Sequence, residues 1–107
     1  AMIEFIEGSH TYFVYIITNS YRSTFYTGVT KNLNNRLQQH EENILLKKRT
    51  FAAKYNLQFL VYYEEFSWIQ LAIAREKQIK GWRRENKLQL IRESNEDFQF
   101  LNHLFSN

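Results

Sequence analysis

The sequence contains no cysteine and no proline, and only three of its 107 residues are glycine. Without cysteine there are no disulfides, thiol nucleophiles or cysteine-ligated metals, which fits a reducing compartment and leads us to expect a cytoplasmic protein. The chain must therefore be held by its own core, and a chain of this length can bury ~two-thirds of its unfolded surface. Scarce glycine and absent proline argue against linkers and disorder. Long apolar runs are also missing. The longest, Tyr12 to Ile17, falls far short of the ~20 residues that span a bilayer, so no membrane partner is expected. Residues 1–10 carry two acids and no basic or apolar block, which is not the pattern of a signal peptide. The expectation is an extension over 1–11 followed by a single domain over 12–105.

The net charge of +3 says little, but its placement says more. Seven of the 14 lysines and arginines lie between Arg75 and Arg92, a stretch with only two acids, Glu76 and Glu85. Such clustering is compatible with a basic side that meets phosphate and equally with a solvated helix face.

Tyr12 to Thr18 is β-branched and aromatic and reads as a strand. A turn over Asn19–Ser23 and a second strand over Thr24–Thr30 complete an antiparallel hairpin, and Gly28 within it marks a bulge or a close backbone approach. Asn32 is a helix N-cap candidate, followed by Leu33, Leu37, His40 and Ile44 on one side of a helix to about Leu46, which the positive Lys47–Arg49 ends. Phe51–Tyr55 reads as a helical turn and Leu57–Glu65 as a third strand. Ser67 is placed to cap a helix from Trp68 to Lys80, with Gly81 at its end. Arg84–Arg92 reads as another helix or a continuation, and Asn95–Phe105 as a last short helix. The order is β-β-α-β-α-α, an α+β domain with a small sheet covered by helices.

Polar residues within these stripes are the functional signal. Arg36 and His40, four apart, share a face at the edge of the first helix's apolar stripe. Glu76 interrupts the expected stripe of Ile69, Ala72, Ile73 and Ile79, where a carboxylate needs an ion, a cation or a hydrogen-bond donor. Each has a plainer reading as a paired or marginal residue. There is no glycine-rich phosphate loop, histidine cluster or serine nucleophile elbow. The aromatic strand Phe59–Tyr63 lacks the pattern of an RNA-stacking sheet.

Phe13-Val14-Tyr15, then Tyr26-Thr27-Gly28, then Arg36 ten residues after Tyr26, together resemble the GIY-YIG nuclease family, in particular its small single-domain bacterial branch. The resemblance continues through Phe51–Asn56, Leu60–Glu64, Ala72–Trp82, Lys87–Ile91 and Asn95, covering about Tyr12 to Leu101. The first glycine of the motif is here Phe13, and Thr27 stands for the usual aliphatic residue. What the resemblance implies is a three-stranded antiparallel sheet flanked by helices. It also implies an endonuclease that cuts phosphodiester bonds in DNA with one divalent ion, Mg2+ or Mn2+. By position, the catalytic set would be Tyr15, Tyr26, Arg36, His40 and Glu76, with Glu76 as metal ligand and Gly28 and Asn95 supporting the site. A tyrosine whose pKa is lowered by nearby cations would serve as base; Tyr15 and Tyr26 both qualify, with Tyr15 or a shared role favoured and the choice left open. His40 would relay a proton or bond the second tyrosine. Lys31, Lys77, Lys80, Arg83, Arg84 and Lys87 would track the nucleic-acid backbone, which gives affinity without sequence. Weak or structure-driven specificity, or a partner protein for targeting, follows from that, in repair or recombination. A nucleic-acid-binding module that has lost cleavage is the alternative.

Overall fold

The computed structural model describes residues 11–106. The expected extension over 1–11 therefore lies, apart from its last residue, outside the described residues. The sheet has the strand order β2-β1-β3, all antiparallel, with β1 at Tyr12–Thr18, β2 at Phe25–Thr30 and β3 at Phe59–Phe66. The central strand explains the unbroken apolar run. Val14 to Thr18 are all fully buried because helices cover both faces of β1.

Alternation along β1 sends its side chains into two cores. Val14 and Ile16 join Val61, Tyr62, Ala72, Ile79 and Ile91 on one face. Tyr15 and Ile17 join Leu33, Leu37, Leu57 and Leu60 on the other. The register of β3 slips between Ile16, which faces Tyr62, and Ile17, which faces Leu60. The extra residue, Val61, is a bulge that puts two successive side chains, Val61 and Tyr62, into the same core.

Helix α1 (Leu33–Leu45) begins where expected: Asn32 Oδ1 accepts the Asn35 N–H at 3.0 Å. Its end is set by backbone geometry rather than by charge. Lys47 adopts φ 54°, and the Lys48 and Lys47 N–H groups close back on the Asn43 and Ile44 carbonyls. Helix α2 (Phe51–Lys54) is capped by Thr50, whose hydroxyl accepts the Ala53 N–H at 3.2 Å. Together α1 and α2 cover the Tyr15 face.

Helix α3 (Ile69–Lys80) packs on β1 and β2. Ser67 does not cap it; the N-cap is Trp68, without a side-chain bond. Its buried stripe is narrower than expected. Ala72 and Ile79 are fully buried, burial of a side chain such as Ile79 being worth ~1.5–3 kcal/mol, but Ile73 is 39% exposed. Glu76, one turn from both Ala72 and Ile79, is half-buried on that same face. Gly81 ends α3 with a helical φ of −79°, not a left-handed one. The break over 81–83 makes α4 (Arg84–Ser94) a separate helix.

The expected last helix over Asn95–Phe105 is instead a turn and irregular chain, with only a 3-10 turn at Asn102–Phe105. Residues 95–102 instead satisfy the open edge of β3. Leu101 N–H donates to Leu60 O at 2.7 Å, and Asn102 accepts from the Leu60 N–H and donates to Gln58 O. Sheet-edge bonds outcompete helical ones here because an unpaired edge would leave backbone groups unsatisfied.

Candidate active site

The site grows from one cross-strand pair. Tyr15 on β1 lies directly opposite Gly28 on β2. A Cβ at Gly28 would come within 2.5 Å of the Tyr15 hydroxyl oxygen and 2.6 Å of Cζ. Gly28 is therefore the close approach that leaves room for the Tyr15 ring, and it forms no bulge in the β1–β2 ladder. Tyr26, two residues earlier on β2, faces Ile17 and so shares the Tyr15 side of the sheet. The two tyrosines are diagonal neighbours, with ring centroids 6.3 Å apart, rather than a directly opposed pair.

Helix α1 lays His40 over both rings, with centroids 5.8 Å from Tyr15 and 5.7 Å from Tyr26. The hydrogen bond goes to the first tyrosine: Tyr15 Oη and His40 Nε2 are 2.9 Å apart. Arg36, one turn earlier, is half-buried and stands between two grooves. One is lined by Tyr26, His40, Thr50 and Phe51, the other by Thr30, Lys31, Asn32 and Ile69.

Glu76 reaches this cluster from α3, and its charge and that of Arg36 both act on Tyr15. Its direct partner is not Arg36 but Lys80, whose Nζ lies 2.9 Å from Glu76 Oε2. Lys80 Nζ also sits 5.5 Å from the Tyr26 ring centroid.

These surroundings set the protonation states. Burial pushes the Tyr15 phenol well above its usual pKa, helped by Tyr26 and Glu76 and opposed by Arg36. For Tyr15, desolvation outweighs the neighbouring guanidinium. Burial first and Arg36 second pull His40 down to about 4. The Tyr15–His40 bond therefore joins two neutral groups at pH 7.

Asn95, expected to support the site, has its hydrogen bonds with β3 and the following chain. It is buried, donates to Val61 O at 3.0 Å and Gln99 O at 2.8 Å, and accepts from the Gln99 N–H. It secures the β3 bulge.

The basic residues divide. Lys80, Arg84 and Lys87 follow β2: Lys80 at Tyr26, Arg84 at 5.2 Å from the Phe25 ring, and Arg84 with Lys87 beside Ser23 and Thr24. Lys31 lines a groove with Arg36, whereas Lys77 and Arg83 are exposed. Arg75 is not free. It forms a two-toothed pair with Glu64, which also accepts the Tyr62 hydroxyl, and it lies over Trp82.

Two features escaped the sequence. Phe51, 50% exposed at the groove, is indistinguishable by composition from a core aromatic. The Glu76–Lys80 pair was signalled only by its i, i+4 spacing.

Among the described residues no three His, Cys, Asp or Glu side chains group as metal ligands. A single half-buried carboxylate, Glu76, fits a hard cation that keeps most of its water and shares substrate phosphate, as Mg2+ does. No helix among the described residues is long and apolar enough to cross a membrane.

The family model of the "GIY-YIG catalytic domain" matches residues 11–89. UPF0213 proteins of Staphylococcus aureus strains Mu50 and N315 are each 37% identical over 87 residues, covering 78% of this chain and 96% of theirs. The solution NMR structure of a UPF0213 protein from Bacillus halodurans shares the fold, with a TM-score of 0.51 at 22% identity over 82% of this chain and 89% of that one. With a catalytic-domain match over most of its length and relatives covered almost end to end, the chain belongs to the GIY-YIG family of nuclease domains.

Proposed function

We propose that residues 12–105 form a metal-dependent endonuclease that hydrolyses phosphodiester bonds in DNA. The observation that carries this reading is the gathering around one buried hydroxyl, that of Tyr15, of His40 and the charges of Arg36 and Glu76, with Tyr26 alongside. These residues come from four separate elements, and polar groups are not collected beside a core without a use for them.

Glu76 would hold one Mg2+ or Mn2+, which when bound would neutralise phosphoryl charge and stabilise the leaving alkoxide. Arg36, between the grooves, donates two hydrogen bonds to the phosphoryl oxygens as charge builds there. Tyr26 lines the open groove and meets the attacking water. Tyr15, fully buried and holding its proton, fixes His40, and His40 in turn packs on Tyr26. Lys80, Arg84 and Lys87 carry the flanking backbone along β2. With contacts of this kind alone, recognition depends on DNA structure or on a partner protein, as suits repair or recombination.

The test incubates supercoiled, branched and single-stranded DNA with the protein in Mg2+, Mn2+ or EDTA. Metal-dependent cutting is expected, and Glu76→Ala and Arg36→Ala abolish it. DNA binding without cutting in either metal would instead identify a binding module, with Lys80 as the permanent partner of Glu76.

A further inference from the structure

We infer that Lys80 is the built-in counter-ion of Glu76 that a divalent ion has to displace, so that Lys80 sets the metal affinity of the site. This rests on the reading of Glu76 as the metal-holding residue.

Three observations carry it. The Lys80 ammonium lies 2.9 Å from Glu76 Oε2, one of the two oxygens through which this carboxylate would hold a cation. Among the described residues Glu76 belongs to no group of three or more His, Cys, Asp or Glu side chains that could hold a metal between them, so it would be the principal protein ligand. A lone carboxylate cannot serve an ammonium and a metal ion equally, because the two cations repel at that distance. Lys80 is also free to leave. Its side chain is 47% exposed against 18% for Glu76, and its Nζ already lies 5.5 Å from the Tyr26 ring centroid. The row of Arg84 and Lys87 beside Phe25 and Thr24 continues in the same direction. Once released, the ammonium joins that row and faces the phosphate backbone. Metal entry and exposure of a phosphate-binding cation are thereby coupled through one side chain.

The experiment titrates the whole protein with Mn2+ alone and follows free Mn2+ by electron paramagnetic resonance, so no cleavage is needed. Removing the competing charge in Lys80→Met should tighten Mn2+ binding about three- to tenfold, the range expected for losing a partly exposed ion pair and its residual repulsion. Lys80→Arg, which keeps the charge, should stay close to the parent. Glu76→Gln should abolish this binding with or without Lys80. Mn2+ affinity unchanged or weakened in Lys80→Met, while Glu76→Gln still abolishes binding, would overturn the inference and leave the metal assignment standing. Mn2+ binding that survives Glu76→Gln would overturn both.

Discussion

Replacing Gly28 by alanine is the sharpest test of how the site is built. The added Cβ would lie 2.5 Å from Tyr15 Oη, 2.6 Å from Cζ and 2.8 Å from Cε1. A ring cannot yield as a flexible chain end does. Tyr15 is fully buried, with the rings of Tyr26 and His40 packed on it at 6.3 and 5.8 Å. Overpacking of this kind costs ~1–3 kcal/mol. Moving the hydroxyl also breaks its 2.9 Å bond to His40 and strands two buried polar atoms, which adds ~1–2 kcal/mol. A loss of about 3 kcal/mol follows, and it lowers the melting temperature by ~12–24 °C in a domain of this size. Urea titration measures it as a midpoint shift at unchanged slope. The control is the same substitution at Gly81, where the Cβ would meet Gln78 O at 3.6 Å and Lys77 O at 3.7 Å, and where φ is already helical. There alanine should stabilise by ~0.4–1 kcal/mol, because it restricts the unfolded chain without clashing. Tyr15→Phe should cost less in the Gly28→Ala background than alone, since the bond it removes is already broken. A Gly28→Ala protein within about 0.5 kcal/mol of the parent would refute the close-approach reasoning.

Three further outcomes are expected. His40 is held at about 4 in the folded protein against 6.5 in a free histidine. The unfolded chain therefore binds the extra proton first, so stability is complete above about pH 6.5 and falls on the order of 2 kcal/mol as pH drops through about 4. His40→Gln should flatten that part of the urea-midpoint profile, and identical profiles would contradict the burial argument. Asn95→Ala removes three hydrogen bonds, one to Val61 at the β3 bulge and two to Gln99, and should cost ~2–3 kcal/mol in urea while leaving Mn2+ affinity unchanged; altered metal binding would show that Asn95 reaches the site. Arg84→Ala and Lys87→Ala should each weaken duplex binding, measured by anisotropy over a salt series, and reduce the salt slope by ~0.9 for each phosphate no longer neutralised; an unchanged slope would remove the β2 row from the interface.

Much of this molecule is legible in the order of its amino acids. Asn32 at the head of Leu33, Leu37 and His40 defines α1, because capping and helical spacing are local. The apolar run of β1 and the short connection to β2 define the hairpin. The resemblance from Phe13 to Asn95 places the five candidate site residues, and the fold brings them together.

Other features required the tertiary structure. Periodicity tells which residues share a face of one element, but not how two strands align. The diagonal placement of the tyrosines, with Gly28 opposite Tyr15, is a matter of register. The bulge at Val61 and the non-helical path of 95–101 follow from a sheet edge whose backbone groups needed partners, a demand no local propensity expresses. The partner of Glu76 is its own helix neighbour one turn away, Lys80, and not Arg36 on α1, a choice the sequence left open. The protonation of Tyr15 and His40 was also beyond the sequence. Nearby cations alone would lower the tyrosine; burial, which exists only in the packed molecule, raises it and keeps His40 neutral. The sequence determined which chemical groups are present and roughly where. Packing decided which of them touch, which are dry and which carry charge, because those properties depend on distances between segments far apart in the chain.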